Sequence, residues 1–151
     1  MRVIDPEKKH GIVHRYPSEH NCFRYNAWPT VCKDDRGILY ATASGLRLSH
    51  VDPCGKNCMY VSYDQGKTWS PPIIINDSHF DDRDAGICPF DENGVIITSF
   101  NNSAEMQREH NKDNEYVQRY IDTITSEDEE KYLGASFRIS RDCGVTFGDF
   151  Y

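Results

Sequence analysis

The feature that most constrains this chain is a short pattern that occurs twice. Ser62-Tyr63-Asp64-Gln65-Gly66-Lys67-Thr68-Trp69 returns as Ser140-Arg141-Asp142-Cys143-Gly144-Val145-Thr146-Phe147, so both copies read Ser-x-Asp-x-Gly-x-Thr-aromatic. Each follows an alternating run, Cys58-Met59-Tyr60-Val61 in one case and Ala135-Ser136-Phe137-Arg138-Ile139 in the other. Four residue types at matching offsets in two places mark a structural repeat. The chemistry is that of a tight β-hairpin. Ser and Asp side chains bond the turn's own backbone, Gly supplies a positive φ, and Thr and the aromatic resume extended chain. The aromatic then serves as a plug between neighbouring sheets.

Strand signals surround each copy. Ala27-Trp28-Pro29-Thr30-Val31-Cys32 reads as a strand with Pro near its start, where a missing amide donor is tolerated. After a polar turn at residues 33–37, Ile38-Leu39-Tyr40-Ala41-Thr42-Ala43-Ser44 is nearly continuous in small and apolar residues and is expected to be buried on both faces. A loop at residues 45–57 leads to the third strand, the first hairpin and a fourth strand at residues 72–75. A second set begins at Asp84, turns at Asp91-Glu92-Asn93-Gly94 and continues as residues 95–100. A charged stretch at about residues 101–131 then delays the next strand, expected at residues 132–139. Val117, Tyr120, Ile121 and Ile124 fall at helical spacing, which predicts a helix over residues 113–123. Ser126-Glu127-Asp128-Glu129 reads as a capping box opening a second, brief helix. The insertion is either a lid over a pocket or a solvated helix pair. Near the N-terminus, residues 11–15 suggest a further short strand.

The doubled motif resembles the Asp-box, or BNR, repeat of the sialidase-like β-propellers. The resemblance implies an all-β fold: part of a six-bladed propeller, with one blade at about residues 25–76 and an incomplete second at about 84–151 carrying the helical insertion. A propeller needs roughly 4 to 8 blades of about 40 to 50 residues each. A chain of 151 residues is therefore expected to be an N-terminal fragment, lacking the later blades as partners and folding poorly alone.

Composition narrows the function. A net charge of −7, with no basic stripe, argues against nucleic acid as a partner. The first residues lack the apolar core of a secretory signal and no segment reaches the length of a membrane span, so the chain reads as cytoplasmic by default, away from any membrane. Its six cysteines are then expected to be mostly reduced. Cys54 and Cys58 have spacing suited to zinc or a disulfide, and His10 and His14 share a face, but neither pair has the further ligands of a metal site. None of these motifs requires a cofactor.

In the propellers that this chain resembles, the box hairpins lie on the rim away from the active site, so the doubled motif itself is structural. Chemistry is expected in two charged loops: Ser44-Gly45-Leu46-Arg47-Leu48-Ser49-His50-Val51-Asp52-Pro53, and Asp81-Asp82-Arg83-Asp84 entering the second blade. The resemblance implies that Asp52, in the loop preceding the first box, is the acid/base of a sialidase-like exo-glycoside hydrolase acting on a sialoside or related glycan. His50 reads as an ordinary loop residue. Sialidases grip the substrate carboxylate with arginines, whose planar fork matches it. The first arginine belongs to an Arg-Ile-Pro triplet, and here the aligned triplet is Ala27-Trp28-Pro29. Arg24, three residues upstream, and Arg47, in the adjacent loop, are the candidates to replace it, while Arg83 and Asp84 are candidates to line the pocket. Arg83 between two acids reads equally as an inter-blade ion-pair knot. The nucleophile that the family uses, a Tyr paired with Glu, is implied to lie in later blades. Two further readings stay open. One is a non-catalytic carbohydrate-binding or scaffold propeller, and the other a glycosidase for an uncharged sugar.

Overall fold

The computed structural model describes residues 11–16 and 23–151. Seven strands and three short helices follow one another: β1 (Tyr25–Lys33), β2 (Leu39–Arg47), β3 (Lys56–Ser62), β4 (Ile73–Asn76), β5 (Arg83–Phe90), β6 (Gly94–Phe100), α1 (Ala104–His110), α2 (Glu115–Ile121), α3 (Ser126–Tyr132) and β7 (Ala135–Ser140). They form two antiparallel sheets, β1-β2-β3-β4 and β5-β6-β7. The chain is thus mostly β. Beyond the second hairpin, residues 148–151 run back along β7, with Gly148 N–H donating to Ile139 O (2.9 Å) and Phe137 and Tyr151 exchanging two bonds of 3.0 Å.

The sheets pack face to face. Tyr40, Met59, Val61 and Ile75 of the first sheet share one core with Ala85, Ile87, Val95 and Ile97 of the second. As the run of apolar residues predicts, β2 is buried along nearly its whole length. Polar bonds register the two sheets: Thr42 Oγ1 donates to Ala85 O (2.7 Å), Asp84 N to Ser44 Oγ (2.8 Å) and Asn57 Nδ2 to Ser99 Oγ (2.5 Å). A smaller cluster of Ala41, Ala43, Cys58 and Tyr60 occupies the other face of the first sheet.

The two hairpins share one hydrogen-bond scheme. In the first, Gly66 N donates to Ser62 Oγ (2.8 Å), while Thr68 N (2.9 Å) and Thr68 Oγ1 (2.6 Å) donate to the Asp64 carboxylate. In the second, Gly144 N donates to Ser140 Oγ (2.8 Å), and Thr146 N (2.8 Å) and Thr146 Oγ1 (2.5 Å) to Asp142. Gln65 and Gly66, and likewise Cys143 and Gly144, sit at positive φ. These donors, the Thr hydroxyl foremost, hold Asp64 and Asp142 down at about 2. Phe147 packs on the core shared by the two sheets, as a plug between them should, whereas Trp69 packs on the outer cluster of the first sheet alone.

Several local expectations need correction. Residues 11–15 form no strand; a Gly-initiated segment with His and Arg finds no ladder partner there. His10 lies outside the described residues. The insertion holds three helices rather than two, because α1 has a polar face whose single buried side chain is Gln107. The helix expected over 113–123 is the shorter α2, with Val117, Tyr120 and Ile121 on its inward side and Ile124, also half-buried, beyond its end. The capping box of α3 pairs Thr125 with Asp128, one residue earlier than Ser126 and Glu129. The turn expected at residues 91–94 does form, between β5 and β6, with Asp91 left-handed (φ 48).

Candidate functional site

Strand register decides what meets at each rim. Lys33 pairs with Leu39 and Leu39 with Ser62, so the β1–β2 turn and the first hairpin share one end of their sheet. Val95 pairs with Ser140 at the corresponding end of the second sheet. Cys143 N–H donates to Asn93 O (2.9 Å), and Arg36 Nη1 reaches the Cys143 sulfur (2.9 Å), tying the two hairpin ends together. The opposite ends, Tyr25 beside Arg47 and Arg83 beside Phe100, carry the loop at residues 48–55, the linker at 77–82 and the helical insertion.

At that second rim Arg47, Asp52, Arg83 and Asp84 are brought together around a residue that the sequence does not single out, Asp81. Arg47 has no exposed surface. Its Nη2 is ion-paired with Asp81 Oδ1 and also donates to His50 O (3.1 Å), Nε donates to Ser49 O (3.2 Å), and Nη1 has no partner. The other Asp81 oxygen accepts from Asp52 N (3.2 Å) and faces Arg83 Nη1 (3.4 Å). Burial outweighs both guanidiniums, lifting Asp81 to about 6 and lowering Arg47. Neighbouring Asp82 is also lifted to about 6 by burial, although Ser78 N (2.7 Å) and Ser78 Oγ (2.8 Å) donate to it.

Asp52 is 2% exposed. Its two oxygens accept from Leu48 N (2.6 Å) and Cys54 N (2.9 Å), so as placed the carboxylate shapes its own loop. Asp84 differs. Its side chain is 41% exposed and its backbone is left-handed, φ 53. For a non-glycine residue that conformation is strained and clusters at functional positions.

Trp28, also left-handed at φ 52, joins the cluster from β1. Arg83 lies over its ring at 4.4 Å and Arg47 at 5.1 Å, while His50 meets it edge-on at 5.0 Å. Trp28 and Asp84 are repeat equivalents. Lys33 faces Leu39 as Pro89 faces Val95, and each left-handed residue lies five positions earlier, inside a bulge at the same place in its strand. By the same count Ala27 is matched in the second sheet by Arg83. Aligning β1 with β5 through the hairpin repeat is the sequence signal that would have joined Trp28 to Arg83. Asp81 carries no such signal, because four consecutive charged residues look alike until burial distinguishes them.

Arg24 is not among the residues brought together; it lines a cavity of about 300 Å3 with Ile12, His14, Arg15, Tyr16 and Asn26. A cavity of about 410 Å3 lies at the hairpin rim, beside Arg141 and Asp142, away from the arginine cluster. The insertion is docked rather than solvated. Ile121 and Gln107 are buried, Asn111 Nδ2 reaches Val51 O (3.4 Å) in the Asp52 loop, and His79 Nδ1 contacts Asp128 (3.1 Å). Among the described residues no group of three or more His, Cys, Asp or Glu is placed to hold a metal ion, and no helix is long and apolar enough to cross a membrane.

No family model and no curated protein matches this sequence. A similar solved structure is the crystal structure of a protein of unknown function from Dyadobacter fermentans DSM 18053, 20% identical with a TM-score of 0.54. The likeness covers 93% of this chain and 38% of that one, so this chain spans little more than a third of its length. At that identity the shared property is the fold: antiparallel, β-rich sheets.

Proposed function

We infer that this chain forms the first two blades of a sialidase-like, six-bladed Asp-box propeller, and that the intact protein is an exo-glycoside hydrolase removing terminal sialic acid or a related sugar. One observation supports this above the others. Two hairpins with the same Ser-Asp-Gly-Thr bonding occupy one rim, while Arg47, Asp52, Arg83 and Asp84 converge on the other. Arg83 Nε lacks an acceptor and stands beside the exposed Asp84 carboxylate, leaving a guanidinium donor for an anionic or polar ligand. Arg83, in the repeat position of Ala27 and stacked on Trp28, takes over the role of the missing first arginine.

In this reading Asp52 is the acid/base, and the loop at residues 48–55 must loosen for its carboxylate to reach the glycosidic oxygen. The test is hydrolysis of an aryl sialoside and a panel of other aryl glycosides by the full-length protein. Asp52→Asn should lower turnover about 10²- to 10⁴-fold, the range of general acid–base contributions. Unchanged turnover removes Asp52 from the mechanism.

A second reading, a glycosidase for an uncharged sugar, is favoured by Asp81, which already neutralises part of the charge of both arginines. Turnover of neutral glycosides alone would select it. Binding without turnover would select a carbohydrate-binding propeller.

A further inference from the structure

Arg83 is buried yet poorly satisfied. Its Nη1 faces Asp81 at 3.4 Å, its Nη2 stands 3.5 Å from His50 Nε2, and its Nε is 3.9 Å from Asp84 Oδ1 with no hydrogen-bond partner. Three edges of one guanidinium therefore aim at three groups, each at the limit of hydrogen-bond range or beyond it. The ring of Trp28 blocks one face. Buried N–H groups are seldom left unmet, so the unpartnered Nε calls for an acceptor.

The arrangement also orients His50. A guanidinium only donates, so the imidazole nitrogen facing Arg83 must offer its lone pair, which places the proton of the neutral ring on Nδ1. The edge contact with Trp28 fixes the ring plane. The charged group facing His50 is Arg83 from β5, which itself faces Asp84 and Asp81, and Arg47 lies across the Trp28 ring. Asp52 of its own loop is turned inward onto backbone amides. An exposed imidazole N–H and an exposed carboxylate thus flank a single guanidinium on the rim opposite the hairpins. A donor and an acceptor so placed match neighbouring hydroxyls of a sugar ring, each of which both gives and takes a hydrogen bond.

We propose that His50 contacts the bound sugar, its Nδ1–H donating to one hydroxyl of a vicinal diol while Asp84 accepts from the other and Arg83 Nε completes the set. This rests on the glycan reading above and adds the residue that orients the terminal sugar.

The test is titration of the ¹⁵N-histidine-labelled full-length protein with methyl glycosides of galactose, glucose, mannose, fucose, rhamnose and sialic acid, followed by imidazole nitrogen shifts. The expected result is an Nδ1–H tautomer for His50, and at least one glycoside that moves its resonances. His50→Ala should weaken that glycoside's Kd about tenfold or more without moving the melting temperature. His50→Asn, whose amide nitrogen stands near the position of Nδ1, should recover much of the loss, and His50→Gln should not. Equal binding by His50→Ala, or an Nε2–H tautomer, overturns the assignment while leaving the glycan reading intact. If the unmodified protein neither binds nor hydrolyses any glycoside, the glycan reading fails and this assignment with it.

Discussion

Replacing Arg47 by Met tests whether the cluster is organised around a buried charge pair. Both side chains are fully buried, and the substitution leaves Asp81 facing only Arg83 Nη1 at 3.4 Å and Asp52 N at 3.2 Å. Removing one partner of such a pair strands the other, at a cost of about 3–5 kcal/mol. Against the roughly 5–15 kcal/mol typical of a whole domain, that is a large fraction. With a urea dependence of about 2 kcal/mol per molar, the unfolding midpoint should fall by roughly 1.5–2.5 M. Trp28, packed on both guanidiniums, reports the transition by fluorescence. Asp81→Asn removes the other charge, and the double variant should cost at least about 1.5 kcal/mol less than the two single losses added, as expected for groups in direct contact. A midpoint shift equivalent to less than about 1 kcal/mol, or strict additivity, would refute the idea that the pair is desolvated and mutually dependent.

Gly55→Ala should be disruptive, because a Cβ there would lie 2.8 Å from Asp81 Oδ1, 3.0 Å from Asp52 O and 3.1 Å from Arg47 Cζ. Overpacking of this kind costs about 1–3 kcal/mol, measurable as a lowered melting temperature. Gly148→Ala, whose Cβ would meet only Ile139 O at 3.6 Å, is the neutral control. Thr125→Ala should fray α3 at a cost of about 0.5–2 kcal/mol, since it removes a capping bond; hydrogen exchange across residues 126–132 reads it. Stability should also bend with pH. Asp64 and Asp142, held at about 2, stabilise the fold fully above their unfolded value near 3.8 and lose that contribution as pH falls through about 2. Asp82, raised to about 6 by burial, acts oppositely, so stability rises as pH falls from above 6 toward 3.8. The melting temperature should therefore peak at about pH 4–5. Asp64→Asn with Asp142→Asn should flatten the acid limb, and a steady decline from pH 7 to pH 4 would contradict the buried-carboxylate account.

What the sequence reveals follows the range of the interactions. The hairpins are legible because Ser62, Asp64 and Thr68 bond one another within a single turn, so residue type and spacing contain the whole arrangement. The buried strand β2 is legible because its unbroken run of small and apolar residues has no exposed alternative. The cluster is only half legible. Arg47 and Arg83 stand out as charges in loops, but Asp81 gains its role from being enclosed by both, which depends on two sheets stacking. Helix α1 escapes the apolar periodicity because its inward residue is Gln107, tied to Asn102 O (2.8 Å) rather than to a hydrophobic face. Asp52 looks exposed in a loop beside Pro53, yet Leu48 and Cys54 amides draw it inward.

The repeat also explains why the candidate site lies between the sheets rather than within either. Strands β1 and β5 kink at the same position, each with a non-glycine residue held left-handed, and such strain persists only where surrounding contacts enforce it. At the first kink the residue pair is Ala27-Trp28, at the second Arg83-Asp84. Where the first strand has a small side chain followed by a flat ring, the second has a long cation followed by a carboxylate. The guanidinium of the second strand lies across the ring of the first, 4.4 Å from its centre. Had both kinks carried Arg-Asp, two guanidiniums would compete for one space without a ring to separate them. Had both carried Ala-Trp, no charge would reach that rim from the kink of either strand. The asymmetry between two copies of one structural unit thus produces an oriented cation, a shielding ring and an exposed acid, and it makes Trp28 as necessary to the position of Arg83 as Asp81 is to its charge.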